Sequence, residues 1–412
     1  MTQSEDIRTR LGFNLLDTET FAQGHPHQSY DVLRQTLPVL RHRGSVSQPA
    51  FWALTRYEDI SAVSRNNKQF TSTKGFRLAT DRRMTLDPEI GRNLSRFSIA
   101  MDPPEHTKQR AMINPSFTAT ALKSVEDQVR KAVIELTESL EGRDVVEFVS
   151  EVAAIVPIKT ICAMMGVPAS DERRVFTWTN GIFGTDDPDF ALSVEESNRN
   201  YLEIFDYGLW LLGERRREPR DDLMTLVATA TIDGQPLDPA TLKGFFSNML
   251  AAGNETTRSS LAGAIMALSH NKDQRDLLAQ SPELIPNAVN ELLRFFSPVI
   301  QMMRTATEDV EVGGQTIIAG ERVVMLYGAG NHDPAIFADP HVLDVTRSNA
   351  FKHLTFGVGI HHCVGSRLAM MQLRIILEEL IRRFPKFEVV GEAKYVKTNF
   401  VASMKSLPVR LH

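Results

Sequence analysis

One cysteine among glycines offers the most pointed chemistry in the chain: Cys363, in FGVGIHHCVG at residues 356–365. Glycines at 357, 359 and 365 let the backbone turn tightly and approach a flat ligand, just before an apolar helical pattern beginning near Gly365. Backbone N–H groups and a helix N-terminus aimed at the sulfur favour thiolate over thiol. Three chemistries compete for such a loop. A zinc site wants about four ligands, and only His361, His362 and Cys363 stand together here. A nucleophile wants a base and an oxyanion hole, whereas a buried structural thiol needs neither. Cys162, inside the apolar run TICAMMG, reads as the last kind.

AAGNETT, residues 251–257, sits within a long helical pattern at 238–270. A mid-helix glycine costs about 1 kcal/mol against alanine, so something must offset it. Gly253 leaves room beside the helix, and the Thr256 hydroxyl can bond the Ala252 carbonyl and open the helix locally. The result is a notch of diatomic size, with Glu255 and Thr256 as an acid and an alcohol able to relay protons. A packing glycine beside a surface glutamate has the same letters.

Three further groups are basic or paired. Glu291 and Arg294 share a helix face at i, i+3, with Arg347 a possible third member in Asp344-Val-Thr-Arg347. In DPPEHTKQR (102–110), His106 and Arg110 stand at i, i+4 after a Pro-Pro start suited to a helix N-terminus. Arg304 follows in QMMRTA. Arginines suit bidentate contact with carboxylates, and any of these three basic residues read alone is an ordinary surface charge.

Positioning these residues needs helices. Apolar stripes at helical spacing mark 119–140, 149–166, 191–216, 238–270, 283–296 and 365–383. Short strand patterns fall at Phe51–Leu54, Val310–Val312, Arg322–Leu326, 387–390 and 408–411. Repeats, low-complexity tracts and Gly/Ser linkers are absent from the sequence. The expectation is one large, mainly α domain with small peripheral β-sheets, interrupted by polar loops near 72–98 and 181–190.

The 412 residues are 42% hydrophobic and 24% charged, enough for a large core with a pocket. A net charge of −5 gives no reason to expect nucleic acid or an anionic membrane. No apolar run reaches a membrane span, and the polar start MTQSEDIRTR is unlike a secretory signal. Two cysteines exclude a disulfide framework, so a reducing cytoplasm is the default expectation.

Phe356-Gly357-x-Gly359-x-His361-x-Cys363-x-Gly365 resembles the haem-binding signature of the cytochrome P-450 family, matching all six defining positions. The resemblance runs from about residue 28 to the C-terminus, with 1–27 as an N-terminal extension. It implies that Cys363 ligates the iron of haem b, whose thiolate ligation favours O–O cleavage. His361, His106, Arg110 and Arg304 would meet the propionates, and Phe356, Gly357 and Gly365 the ring. Ala252 and Gly253 would border the oxygen notch of the central helix 238–270, with Glu255 and Thr256 relaying protons. Glu291, Arg294 and Arg347 would lock the 356–365 loop from behind.

The implied reaction inserts one atom of O2 into an apolar molecule, such as a terpenoid, aromatic hydrocarbon or steroid-like lipid. Its electrons would come from NAD(P)H through a separate ferredoxin and reductase, because the chain has no dinucleotide fingerprint. Lys108, Arg110 and Arg367 are candidates for docking an acidic ferredoxin. The resemblance also implies a monomer. It places pocket loops at 72–98 and 178–192, and further pocket segments at 245–252, 298–303 and 399–404. Their readable residues are apolar: Phe245, Phe246, Met249, Leu250, Val299, Ile300, Met302, Met303, Phe400 and Met404. Three positions depart from the family pattern. Asn290 replaces an acid, Ile318 a proline, and His332 a usual arginine in Asn331-His-Asp-Pro.

Overall fold

Asp238 starts the element around which the rest is arranged. Its side chain accepts hydrogen bonds from Ala240 N and Thr241 N, Pro239 takes the first turn, and the helix Pro239–His270 follows for 32 residues. Apolar and small residues face every direction, which suits a helix buried on all sides. Its hydroxyls return to its own backbone, as Ser247 Oγ does to Lys243 O at 2.9 Å and Ser259 Oγ to Glu255 O at 2.8 Å. Burial therefore leaves these groups satisfied.

The structure is a computed structural model and describes residues 12–79, 87–183, 187–190 and 192–412. Helices Ile155–Met165, Glu172–Phe183, Val194–Arg217 and Ile285–Phe296 pack around the central one, and Ser366–Arg383 closes the far side against Lys123–Glu138. A five-stranded sheet lies at one edge in the order Val39–His42, Phe51–Leu54, Arg322–Leu326, Gln301–Ala306, Phe70–Thr71. Arg322–Leu326 runs parallel to Phe51–Leu54 and antiparallel to Gln301–Ala306. The mainly α architecture with small sheets is as expected.

The structure corrects three local expectations. The polar stretch 72–98 contains the helix Pro88–Leu94, started by the Asp87 cap and held by buried Ile90; residues 80–86 of that stretch lie outside the described residues. The supposed loops 178–192 and 181–190 begin as helix, because Glu172–Phe183 continues through both of their starts with Val175, Trp178 and Ile182 buried at helical spacing. Residues 184–186 and 191 are outside the described set. Finally, the part of 1–27 that is described is no appendage: Phe13, Leu15, Leu16 and Phe21 are core residues.

Candidate functional site

Three elements converge on one cavity. Between residues 241 and 269 of the central helix, Ala252 alone is exposed, with Gly253 and Thr256 half-exposed beside it. They share a face with Met249 and Ser260, at spacings of three, four and seven residues, and all five line a space of about 1350 Å³ unfilled by protein. Gly253 is required for packing as well as access. A Cβ there would stand 2.9 Å from Ile161 Cδ1 and Cγ1 of the neighbouring helix. Thr256 Oγ1 donates to Ala252 O at 2.9 Å, the bond expected from the sequence.

Opposite lies the glycine loop. Gly357 and Gly359 take φ of +67° and +78°, and a Cβ on Gly359 would come within 2.8 Å of the Ser64 carbonyl. Cys363 N donates to Phe356 O at 2.9 Å, and the helix Ser366–Arg383 begins just beyond. The sulfur is open to the cavity but ringed by protein elsewhere. That enclosure raises the thiol pKa, while the Gly365 N–H and the Arg110 charge pull it down. A cation bonded to the sulfur would finish the shift to thiolate.

The third side is basic. Arg304, on strand Gln301–Ala306, is buried, and its Nη1 donates to Met303 O at 2.8 Å. Arg110 also lines the cavity and forms no salt bridge among the described residues. His106 and His361 meet edge to face at 4.6 Å. Neither His106 nitrogen has a well-aligned partner, although the Ile360 backbone lies near. His361 Nε2 lies 3.0 Å from Ser72 Oγ. Burial, then Arg304, His106 and Arg110, push His361 down to about 3. Two guanidiniums and two imidazoles thus border the space, and among the described residues neither guanidinium pairs with a carboxylate, although the Asp102 charge is near Arg304 and His106. Together with an open sulfur and a glycine floor, they fit a flat dianionic cofactor such as haem.

Behind the loop the acid–base group is fully assembled. Arg294 Nε and Nη2 each bond a Glu291 oxygen at 2.7 Å, and Arg347 Nε joins Glu291 Oε1 at 3.1 Å. Arg294 Nη1 donates to Asn331 O at 2.9 Å, and Asn331 Nδ2 donates to Thr355 Oγ1 at 2.9 Å, one residue before Phe356. Breaking such a buried pair costs about 3–5 kcal/mol.

Several expected residues fall elsewhere. Glu255 is 1% exposed and turns to an adjoining cavity, where it pairs with Arg258. Successive helical residues point about 100° apart, so Thr256 and Glu255 face different spaces. Val299 and Met302 line the main cavity, whereas Leu250, Ile300 and Met303 are turned into the core. Phe245 and Phe246 are core residues too, and Met404 faces the adjoining cavity. Phe400 is not on the described wall; it packs 6.5 Å from Phe76 with Arg77 over its ring. Arg110 points inward and Lys108 pairs with Asp233, which leaves Arg367 as the exposed docking candidate. Sequence reasoning missed Ser72, Phe97, Ile99, Ile161, Tyr327 and Gln372, brought in by separate elements with no motif around them.

Residues 195–408 match the family profile described as Cytochrome P450. The chain is 36% identical to the linalool 8-monooxygenase of Pseudomonas putida, covering 97% of this chain and 98% of that protein. It is 34% identical to a methyl-branched lipid omega-hydroxylase of Mycobacterium tuberculosis, over 90% of this chain and 86% of the relative. Among solved structures it resembles Mycobacterium marinum cytochrome P450 CYP268A2 in complex with pseudoionone, at 34% identity and a TM-score of 0.87, covering 93% of this chain and 94% of that one.

Proposed function

The chain belongs to the cytochrome P450 family, and from that premise we propose that it hydroxylates a branched, apolar terpenoid or lipid at the cavity between Thr256 and Cys363. It is a haem monooxygenase acting on apolar substrates; the narrower substrate class is our reading. The observation that carries it is the cavity wall. Met249, Val299 and Met302 give the cavity apolar lining, the methionines adaptable in shape. The named substrates of two relatives, linalool and methyl-branched lipids, have the same character.

Haem, when bound, supplies the activation of dioxygen and the transfer of one of its atoms. Everything else falls to the chain. Cys363 would present its sulfur as iron ligand, kept anionic by the Gly365 N–H and the following helix N-terminus. Arg110, Arg304, His106 and His361 would hold the propionates, giving the two unpaired guanidiniums carboxylate partners. Glu291, Arg294 and Arg347 would fix the loop through Asn331 and Thr355. Thr256 would hold a proton at Oγ1 beside the reacting oxygen. Glu255 and Arg258 would load that hydroxyl from the adjoining cavity. The apolar wall would orient the substrate and exclude water.

Reducing equivalents would come from NAD(P)H through a separate ferredoxin and its reductase, docking near Arg367 in the cytosol. No helix of the described residues is long and apolar enough to cross a membrane. The test is a panel of acyclic monoterpenoids, methyl-branched fatty acids and steroids, read by the low-to-high-spin shift of the Soret band and by product analysis. Spin shift and hydroxylated product with the first two classes are expected. Response to steroids alone would overturn the substrate reading. A reduced carbon monoxide complex lacking the long-wavelength thiolate band would remove the Cys363 ligation on which it stands.

A further inference from the structure

Away from the cavity, imidazoles gather where the first helix, His27–Thr36, meets the segment after Tyr327–Asn331. One nitrogen each from His27, His332 and His341 lies within 4.8 Å of the others. The rings of His27 and His332 are 4.0 Å apart, and those of His332 and His341 are 5.2 Å apart. His332 is 1% exposed and stands where the family pattern has its usual arginine.

Two of the three rings are already held from behind. His332 Nδ1 lies 3.0 Å from Gly328 O, so it carries the proton and leaves Nε2 with a free lone pair. His341 Nε2 lies 2.7 Å from Asp31 Oδ2, which leaves Nδ1 free in the same way. On the other side of His332, His27 Nδ1 is buried with no hydrogen-bond partner. A carbonyl or carboxylate behind an imidazole is what fixes the tautomer and aim of a metal ligand. An orphaned buried nitrogen otherwise carries an unrecovered desolvation cost.

We propose that His27, His332 and His341 form a binding site for a borderline transition-metal dication, Zn2+ above all. Three imidazoles and one open position are a zinc donor set, with nitrogens about 2.0–2.1 Å from the ion. Tetrahedral geometry then puts the nitrogens about 3.3 Å from one another, so the group closes by a small rotation, easiest for exposed His341. Two cations face the cluster, and each has its own partner: Arg34 bonds Asp31 at 2.8 Å and Arg294 is paired with Glu291. His25, the neighbouring imidazole, donates from Nε2 to Ser297 O at 2.6 Å, with Nδ1 towards the Tyr30 hydroxyl, rather than joining the group. The ion would clamp the first helix to the residue next to Asn331, whose carbonyl receives Arg294.

The test uses the full-length holoprotein without a polyhistidine tag, treated with chelator and titrated with Zn2+ by calorimetry. Zinc is then counted against haem iron by elemental analysis. One zinc per chain is expected. His27→Ala and His341→Ala should each weaken binding at least about 100-fold, and Asp31→Asn about 10- to 100-fold. The haem spectrum of the same samples reports folding. Zinc well below one per chain, or binding unchanged in both alanine variants, overturns the site and leaves the monooxygenase reading untouched.

Discussion

Thr256 and Glu255 are adjacent in sequence, yet one faces the cavity of Cys363 and the other a different cavity. Of the pair, the hydroxyl alone lines the cavity of Cys363, so in the proposed relay the carboxylate would act through it. A positioned proton donor contributes about 10²–10⁴-fold. Thr256→Ala is expected to divert electrons to peroxide and to lower product per NAD(P)H on the order of tenfold or more, whereas Thr256→Ser restores coupling. Equal coupling in wild type and the alanine variant, measured as product against peroxide, would remove the relay. At this scale the sequence was most readable where a residue's type is forced. Gly357 and Gly359 need positive φ, and Cys363 has no substitute as a thiolate. Ser72 and Tyr327 were silent, because a serine or tyrosine fits a great many environments and only the fold brings these two to the site.

Elements were legible when their apolar period was long. The stripe at 238–270 became Pro239–His270 almost unchanged, while the shorter Glu172–Phe183 was not read as a helix and its end was taken for loop. Pocket residues failed for a related reason. Runs such as Val299-Ile300 and Met302-Met303 look uniformly apolar, but a strand sends alternate side chains to opposite faces, so Met302 reaches the cavity and Met303 the core. Gly253 tests the packing between elements. A methyl there gains about 1 kcal/mol of helix propensity but meets Ile161 at 2.9 Å, an overpacking that costs about 1–3 kcal/mol. The clash outweighs the gain, so Gly253→Ala should lower the melting temperature. Ile161→Ala alone leaves a hole worth about 2–5 kcal/mol. In that background Gly253→Ala should raise stability, and strictly additive effects in the four-way comparison would show that the two helices do not meet as described.

Across the whole molecule, the least legible feature was long-range pairing. Phe51–Leu54 and Arg322–Leu326 are readable as strands, but nothing local announces that they run parallel in one sheet, or that residues near 13 complete the core. The same long-range assembly buries His353 behind the thiolate loop, 5.5 Å from the Phe356 ring, with its Nδ1 accepting from Thr355 N at 3.2 Å. Burial, then the nearby His362 and Arg294 charges, lower its pKa from 6.5 to about 4. The unfolded chain therefore takes up this proton before the folded one does. The stabilisation from the neutral ring is complete above pH 6.5 and is lost as pH falls towards 4, at about 1.4 kcal/mol per pH unit. Asparagine at this position keeps an acceptor for Thr355 N and does not titrate. His353→Asn should differ from wild type by a constant amount above pH 6.5 and should lose stability less steeply between pH 6.5 and 4. Parallel melting curves across that window would mean that His353 takes up its proton equally in both states, and that the loop it supports is open to water.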